Sequence, residues 1–243
     1  MTDTLTHFMP PTPRPFPAFI ADASQDGEPY GRWADRLLEE FASAAEGLAE
    51  EAGAALDLES VRWFPDRAWG GRVYMPLTSR TEDGDGNPIE YFGHVSFIPP
   101  GDDEDAEPAE IRASADFTDV TADENPDWRI DLNDDVIGPW RTDGDRGGDV
   151  TLVWGLPMVR GAVAATAEID DEVIDQVPVV KGRFTLVAVD ALRGFGDDLY
   201  LEVKLWDRRM QEVAAESLYE DAGPEDEPEP DDESESGSER DGD

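Results

Sequence analysis

Apolar residues recur every three or four positions in the stretch that follows the first 28 residues. The stripe consists of Trp33, Leu37, Phe41, Ala44, Leu48, Ala52 and Leu56. Acidic residues lie mostly off this stripe, and a period near 3.6 residues is typical of an amphipathic helix. Proline suits a first helical turn, and Pro29 stands at that position. The pattern therefore predicts a long helix over residues 29–56, which would span roughly 40 Å.

From about residue 60 the apolar period changes to two, which is typical of half-buried strands. The alternating apolar positions are Val73, Met75, Leu77, Ile89, Tyr91, Val95, Phe97, Ile111, Ala113, Ala115 and Phe117. Residues 82–87 separate the first two runs and carry the glycine, aspartate and asparagine chemistry of a hairpin turn. The sequence therefore predicts three strands in this region, the first two joined as a hairpin.

The second half of the chain has a weaker pattern. Residues 121–149 read mostly as irregular loop around a short strand near Trp128, and Val150–Trp154 and Arg160–Ile169 read as further strands. A hairpin is predicted from residues 182–190 and 199–206. Asp207 then suits a helix N-cap, and the apolar spacing after it predicts a short C-terminal helix that ends near residue 219.

Helix, strands and helix in that order predict an α+β fold, because strands joined by turns form an antiparallel sheet or barrel, here of about seven or eight strands. We expect an extended proline-rich arm over residues 1–28 and a single α+β domain over 29–220. The remaining segment, 221–243, is an acidic tail. From Pro224 onward it has no apolar side chain with which to build a core, so disorder is predicted.

The chain is strongly acidic throughout. It contains 59 acidic and 19 basic residues, for a net charge of −40, and only two of the basic residues are lysines. Residues 224–243 contribute −10, so the preceding residues carry −30. Charge of this density favours a protein of a high-salt environment, because about 1 M salt shortens the Debye length to about 3 Å. The alternative is an acidic nucleic-acid mimic that binds a basic partner.

Composition also excludes several classes of protein. There is no cysteine, so disulfides and thiolate chemistry are absent. We expect a soluble cytoplasmic protein, because the N-terminus lacks a signal-peptide pattern and no apolar run approaches the ~20 residues of a membrane span. A net negative charge argues against nucleic-acid binding, which needs a basic face. Phosphate-binding glycine motifs are missing, and no cofactor is expected.

A short acidic segment resembles the start of a calcium-binding loop. Asp83, Asp85 and Asn87 occupy its first, third and fifth positions. Proline at 88 replaces the required glycine, and His94 stands where a closing glutamate is needed. A plain hairpin turn is therefore the stronger interpretation, and these three residues are only candidate metal ligands.

His94 is the one catalytic candidate. The chain has two histidines, and the other, His7, lies in the arm. Free histidine titrates nearest to neutral pH, which suits acid–base catalysis. Carboxylates are so abundant that one will lie near His94 by chance. The alternative is therefore a strand histidine paired with an acid, without a catalytic role.

Tryptophans next to arginines and glycines form the least expected pattern. The candidate binding residues are Trp63, Trp69, Arg72, Trp128, Arg129, Trp140 and Arg141. Tryptophan and arginine are enriched at the energetic centres of protein interfaces. The alternative is a core that uses large aromatic residues, with arginines stacked on them.

The sequence-based hypothesis is a non-catalytic protein-binding or assembly protein adapted to high salt, with an unidentified protein partner. It uses the aromatic–arginine residues, and the proline-rich arm, to contact other proteins. The first alternative is a small-molecule-binding or hydrolytic β-barrel with His94 in its cavity. The second is the acidic nucleic-acid mimic.

Overall fold

A computed structural model describes residues 31–100, 107–141, 147–169, 172–189 and 201–218. Strands account for 57% of these residues and helices for 13%. The expected α+β class is therefore wrong, and the protein is mostly β. The predicted arm and tail lie outside the described residues.

The strands, numbered in chain order, form three antiparallel sheets. Their bounds are β1 (Arg62–Trp63), β2 (Arg67–Trp69), β3 (Arg72–Glu82), β4 (Pro88–Ile98), β5 (Ala109–Thr118), β6 (Ile130–Arg141), β7 (Gly147–Pro157), β8 (Ala164–Ile169), β9 (Glu172–Pro178), β10 (Phe184–Val189), β11 (Leu201–Trp206) and β12 (Glu212–Ser217). Sheet I has the order β1-β3-β4-β5, with β2 also paired to β3. Sheet II has the order β10-β7-β6, and sheet III the order β12-β11-β8-β9.

The predicted long helix is a shorter, interrupted helical segment. It begins with a 3₁₀ turn at Gly31–Trp33, continues as α1 (Ala34–Ala45), passes through a 3₁₀ turn at Glu46–Leu48 and ends with α2 (Ala49–Ala52). Gly53 follows with a φ of +68°, the left-handed conformation that commonly ends helices. Leu37, Phe41 and Ala52 of the predicted stripe are buried, whereas Ala44 is half-buried and Ala45 is buried instead. The predicted length is too great, because this terminating glycine precedes the last apolar residue of the stripe.

The layers stack in the order helix, sheet I, sheet II and sheet III. The cluster between the helix and sheet I contains Leu37, Phe41, Val73, Met75, Leu77, Val95 and Phe97. The cluster between sheets I and II contains Phe64, Tyr74, Val150, Leu152, Trp154 and Val187. The cluster between sheets II and III includes Ile130, Val153, Phe184, Leu186, Leu201, Val203 and Leu205. Sheet II is thus buried on both faces, which explains the almost unbroken apolar run of β7.

The predicted hairpin is confirmed by the antiparallel pairing of β3 with β4. Ser79 pairs with Tyr91 and Val73 with Phe97 across the two strands. The alternation places Met75, Val95 and their same-face neighbours on the helix side, as the period of two predicts. The opposite face of β4, which carries His94, looks toward sheet II.

Two expectations for the last third of the chain are wrong. The segment after Asp207 is a tight turn followed by β12 rather than a helix. The carboxylate of Asp207 accepts hydrogen bonds from the backbone N–H groups of Arg209 (2.7 Å) and Gln211 (3.0 Å). Capping chemistry is shared by helix starts and hairpin turns, so the aspartate alone did not distinguish them.

Moreover, β10 pairs with β7 while β11 pairs with β8 and β12, so β10 and β11 do not form a hairpin.

The region predicted mostly as irregular loop, residues 121–149, contains the long strand β6 and the start of β7. β6 runs for 12 residues beside β7, with a bulge between Val136 and Gly138. Its aspartates, asparagine and proline disfavour strands on propensity alone, so tertiary pairing decides the structure here. Among the residues that the structure describes, no helix is long and apolar enough to cross a membrane.

Candidate functional site

A cleft of about 490 Å³ opens at the end of sheet I that carries the β3–β4 turn. We call it the acidic cleft. Its lining residues are Asp57, Arg80, Thr81, Glu82, Pro88, Ile89, Thr121 and Asp123. Three carboxylates and one guanidinium therefore face the same depression, which gives it a net negative charge.

Arg80 forms the floor of the acidic cleft and holds three carboxylates. Its Nε donates to Glu90 Oε2 at 2.7 Å, its Nη1 to Asp123 Oδ2 at 3.0 Å and its Nη2 to Asp131 Oδ2 at 3.3 Å. The side chains of Glu90 and Asp131 are almost fully buried, whereas that of Asp123 is mostly exposed. One positive charge thus serves two buried carboxylates and one at the surface.

The shortage of positive charge is visible in Asp131. Burial, followed by repulsion from Glu90 and Asp123, raises the pKa of Asp131 to about 6, and attraction to Arg80 and Arg62 offsets only part of the effect. A carboxyl group in a desolvated site with like-charged neighbours favours its neutral form.

Thr121 lines the same cleft with an unsatisfied hydroxyl group. The residue is 4% exposed, and its Oγ1 has no hydrogen-bond partner. Buried polar atoms are almost always paired, so an exception points to an absent partner or to a cost in stability. The Oγ1 atom itself is enclosed by the surrounding residues, so the unpaired hydroxyl is a cost in stability at the edge of the cleft.

An apolar groove of about 430 Å³ lies beside the acidic cleft. It is lined by Ala42, Ser43, Ala45, Glu46, Ala49, Ala55, Leu56 and Leu58. Asp57 lines the cleft, and its chain neighbours Leu56 and Leu58 line the groove, so the two depressions meet at this loop. The loop is anchored to sheet I, because Ser79 Oγ donates to the carbonyl of Asp57 (2.7 Å) and Tyr91 Oη to that of Ala54 (2.6 Å).

His94 lies between sheets I and II rather than in this cleft. It is 7% exposed, and its Nδ1 is 3.1 Å from Asp135 Oδ2 on β6. The two atoms are in contact, but Nδ1 and the oxygen do not meet the geometry of a directed hydrogen bond. The Tyr74 ring packs against His94 with a centroid distance of 5.5 Å.

Asp135 on β6 is the polar partner of His94 on β4, and the contact links sheet II to sheet I. Burial alone would raise the pKa of Asp135, but the contacts with His94 and Ser114 outweigh it and hold the pKa below its usual value. A histidine, a carboxylate and a tyrosine can perform acid–base chemistry when a substrate reaches them. Here they are packed between two sheets, an arrangement that suits a structural link.

The predicted aromatic–arginine residues lie at several places in the fold. Trp63 packs against the helix-side cluster, whereas Trp69 and Trp140 pack against the cluster between sheets I and II. Arg72 is largely buried and donates to the carbonyl of Glu110 at 2.6 Å. The packing alternative accounts for these contacts.

Two of the other candidates lie in or beside the loop before β6. Trp128 is half-buried, and its backbone N–H donates to the carbonyl of Asn125 at 3.0 Å. Arg129 is exposed and donates through Nη2 to the carbonyl of Val213 on β12. The side chain of Arg141 lies outside the described residues. A shared surface built from all seven residues stays a prediction.

The candidate metal ligands form the β3–β4 turn. Asp83 Oδ1 accepts from the backbone N–H groups of Asp85 (2.9 Å) and Asn87 (2.8 Å), and its Oδ2 accepts from Asn87 Nδ2 (2.8 Å). These bonds lower the pKa of Asp83. Both oxygens are thus committed to the turn, as the hairpin interpretation predicts. Within the described ranges, no group of three or more acidic or histidine side chains is arranged to hold a metal ion.

Sequence reasoning missed the acidic cleft. Arg80, Glu90 and Asp131 come from two sheets, and nothing in their local sequence distinguishes them from the many other charged residues. The one available signal was a glutamate facing an arginine across the predicted hairpin, since Arg80 pairs with Glu90 in its register. Comparisons with protein-family models, curated proteins and solved structures find no match to this chain.

Proposed function

We propose that this chain is a non-catalytic protein-binding or assembly protein of a high-salt environment, and that it binds through the acidic cleft and the apolar groove. The observation that carries the proposal concerns Leu58 and Val120. At 50% and 53% exposure they are the two most exposed large apolar side chains of the described residues. Leu58 lines the groove, and Val120 precedes the cleft residue Thr121.

The setting of these side chains fits an interface. Leu58 stands between exposed Asp57 and Glu59, and Val120 follows exposed Asp119. An apolar centre with a charged rim is the usual anatomy of a protein interface. In concentrated salt the rim charges are screened over about 3 Å, so apolar burial supplies the affinity and near-contact charge pairs supply the orientation.

The enclosed position of His94 argues against a catalytic role. A general base must come within about 3 Å of the proton that it removes. His94 is enclosed between two sheets and engaged by Asp135. Its place supports a link between layers, and the exposed apolar residues lie elsewhere.

Light scattering in multimolar KCl, combined with capture of partners from native lysate in the same salt, tests the proposal. We expect either a defined oligomer or a specific partner protein. A strict monomer that retains nothing would refute it. Capture of a basic nucleic-acid-binding protein would favour the nucleic-acid-mimic alternative.

The second candidate is a small-molecule-binding or hydrolytic protein that uses His94. The convergence of Tyr74, His94 and Asp135 is the observation that favours it. Hydrolysis of nitrophenyl esters by the wild-type chain, lost in His94→Gln, would support this candidate. Equal background rates in both chains would remove it, and that is the result we expect.

A further inference from the structure

We infer that the proline-rich arm of this chain is the segment that docks on this surface, with the Arg14 guanidinium in the acidic cleft and the Phe16 ring in the apolar groove. The inference rests on the proposed function, because it takes the same surface as the docking site. It identifies the segment that occupies the acidic cleft and the apolar groove.

The acidic cleft fits a guanidinium group. Asp57, Glu82 and Asp123 line it and supply carboxylate acceptors. A guanidinium presents five N–H donors in a planar fork, which suits several oxygen acceptors at once.

The apolar groove fits a bulky side chain. Four of its eight lining residues are alanines, which leave room beside the leucines for a ring. Residues i and i+2 of an extended chain point to the same side about 7 Å apart. Asp57 lines the cleft and its chain neighbours Leu56 and Leu58 line the groove, so a short extended segment can contact both depressions.

The arm has the matching chemistry. Arg14 is the only arginine or lysine among the first 28 residues, and Phe16 follows two positions later. Pro13, Pro15 and Pro17 surround them. Proline fixes φ near −65°, so a segment with this proline content loses less entropy on docking than a proline-free segment would.

The length of chain before Gly31 is sufficient. The 15 residues from Phe16 to Gly31 reach up to about 50 Å when extended. The helical segment from Gly31 to Ala52 is about 30 Å long, and the groove lies along its second half. The arm therefore reaches the site on its own chain, and the same length reaches a second copy.

Cysteine pairs test the inference directly, because the chain has no native cysteine. Phe16→Cys combined with Leu58→Cys is oxidised in multimolar KCl, and disulfide formation is followed by gel and mass spectrometry. The matched control combines Phe16→Cys with Met158→Cys, since Met158 is 46% exposed and Leu58 is 50% exposed. We expect cross-linking at least tenfold faster for the Leu58 pair. Equal rates for the two pairs would overturn the inference.

A charge reversal provides the second readout. Arg14→Glu should slow cross-linking of the Leu58 pair severalfold, and adding Asp123→Arg should restore much of the rate. A rate that is insensitive to Arg14→Glu would refute the guanidinium–cleft contact. A cross-linked monomer assigns the docked arm to its own chain, and a cross-linked dimer assigns it to a second copy, and both support docking.

This experiment separates the two proposals. Fast cross-linking confined to a monomer that captures no other protein would leave arm docking standing and remove the assembly function. Loss of a captured partner in Leu58→Glu, without preferential cross-linking, would do the reverse.

Discussion

The carboxylate of Asp175 joins three sheets through its contact with Arg67. Nη2 of Arg67 on β2 donates to both oxygens of Asp175 on β9, at 2.9 and 2.8 Å. The same carboxylate accepts from the backbone N–H of Val187 on β10 at 2.8 Å. Sheets I, III and II thus meet at one side chain, and the stacked layers are linked by a charge pair as well as by apolar packing.

Replacing Asp175 should therefore loosen the whole stack. Asp175→Asn removes the charge and leaves too few acceptors for Arg67 and Val187, which should cost about 1–3 kcal/mol. Urea unfolding in multimolar KCl measures the change. The matched control is Glu107→Gln, whose pair with Arg36 is largely exposed and should contribute nothing measurable. Equal effects in the two variants would contradict the role assigned to Asp175.

Gly93 is required where β4 approaches β5. Its φ is +153°, and a Cβ at this position would lie 2.1 Å from the carbonyl oxygen of Ser114. Gly138 has nearly the same φ, +154°, but nothing within 4 Å of its Cβ position. Gly93→Ala should cost at least about 2 kcal/mol more than Gly138→Ala, because only the first displaces backbone. Thermal unfolding of both variants checks this, and similar losses would show that φ rather than contact sets the cost.

The sequence predicted β3, β4 and β5 well because these strands have a clear period of two, whereas the short strands β1 and β2 were not predicted. Met75 and Val95 fall on the predicted face, and Asp83 accepts hydrogen bonds within the turn between β3 and β4. Sheets II and III were harder to predict from the sequence. β7 is buried on both faces, so its apolar run carries no period.

The candidate site was hidden for a different reason. Arg80 and Asp131 are 51 residues apart and meet only after sheets I and II stack. In a chain with 59 acidic residues, no single carboxylate is distinguishable by its local sequence. His94 could be named because histidine is rare here, but rarity did not predict its burial.

The contribution of Asp131 to the stability of the protein should fall as the pH rises from about 4 to about 6. The pKa of Asp131 is about 6 in the folded protein and near 3.8 in an unfolded chain, so the folded state binds the proton more tightly in this interval. Ionisation of Asp131 then lowers the free energy of unfolding by roughly 2–3 kcal/mol above pH 6. Arg80 and Arg62 favour its ionised form, while Glu90 and Asp123 oppose it.

Asp131→Asn isolates that contribution. The difference in unfolding free energy between the variant and the wild type should shift in favour of the variant as the pH rises through this interval, by about 2 kcal/mol. Chemical unfolding at several pH values measures it. A difference that does not change with pH would contradict the raised pKa of Asp131.

Replacing one buried threonine should stabilise the fold, whereas most substitutions in a protein core destabilise it. Thr185 is fully buried on β10, and its Oγ1 has no hydrogen-bond partner among the described atoms. Thr185→Val keeps the shape and removes the unpaired hydroxyl, which should stabilise the fold by about 1 kcal/mol. A higher urea midpoint with an unchanged slope is the expected result. A loss of stability would show that the hydroxyl has a partner after all, such as a buried water.

The most direct test of the central claim compares partner or self-association in surface variants. Leu58→Glu places a charge in the apolar groove, and Val120→Glu places one next to the cleft residue Thr121. Met158→Glu is the control, because Met158 is similarly exposed and neither it nor its chain neighbours line the cleft or the groove. Association is measured by light scattering and by retained partner in multimolar KCl, with circular dichroism to confirm folding. We predict at least a tenfold loss of association in the first two variants and no change in the third. Association that is lost equally in all three, or in none, would contradict the claim.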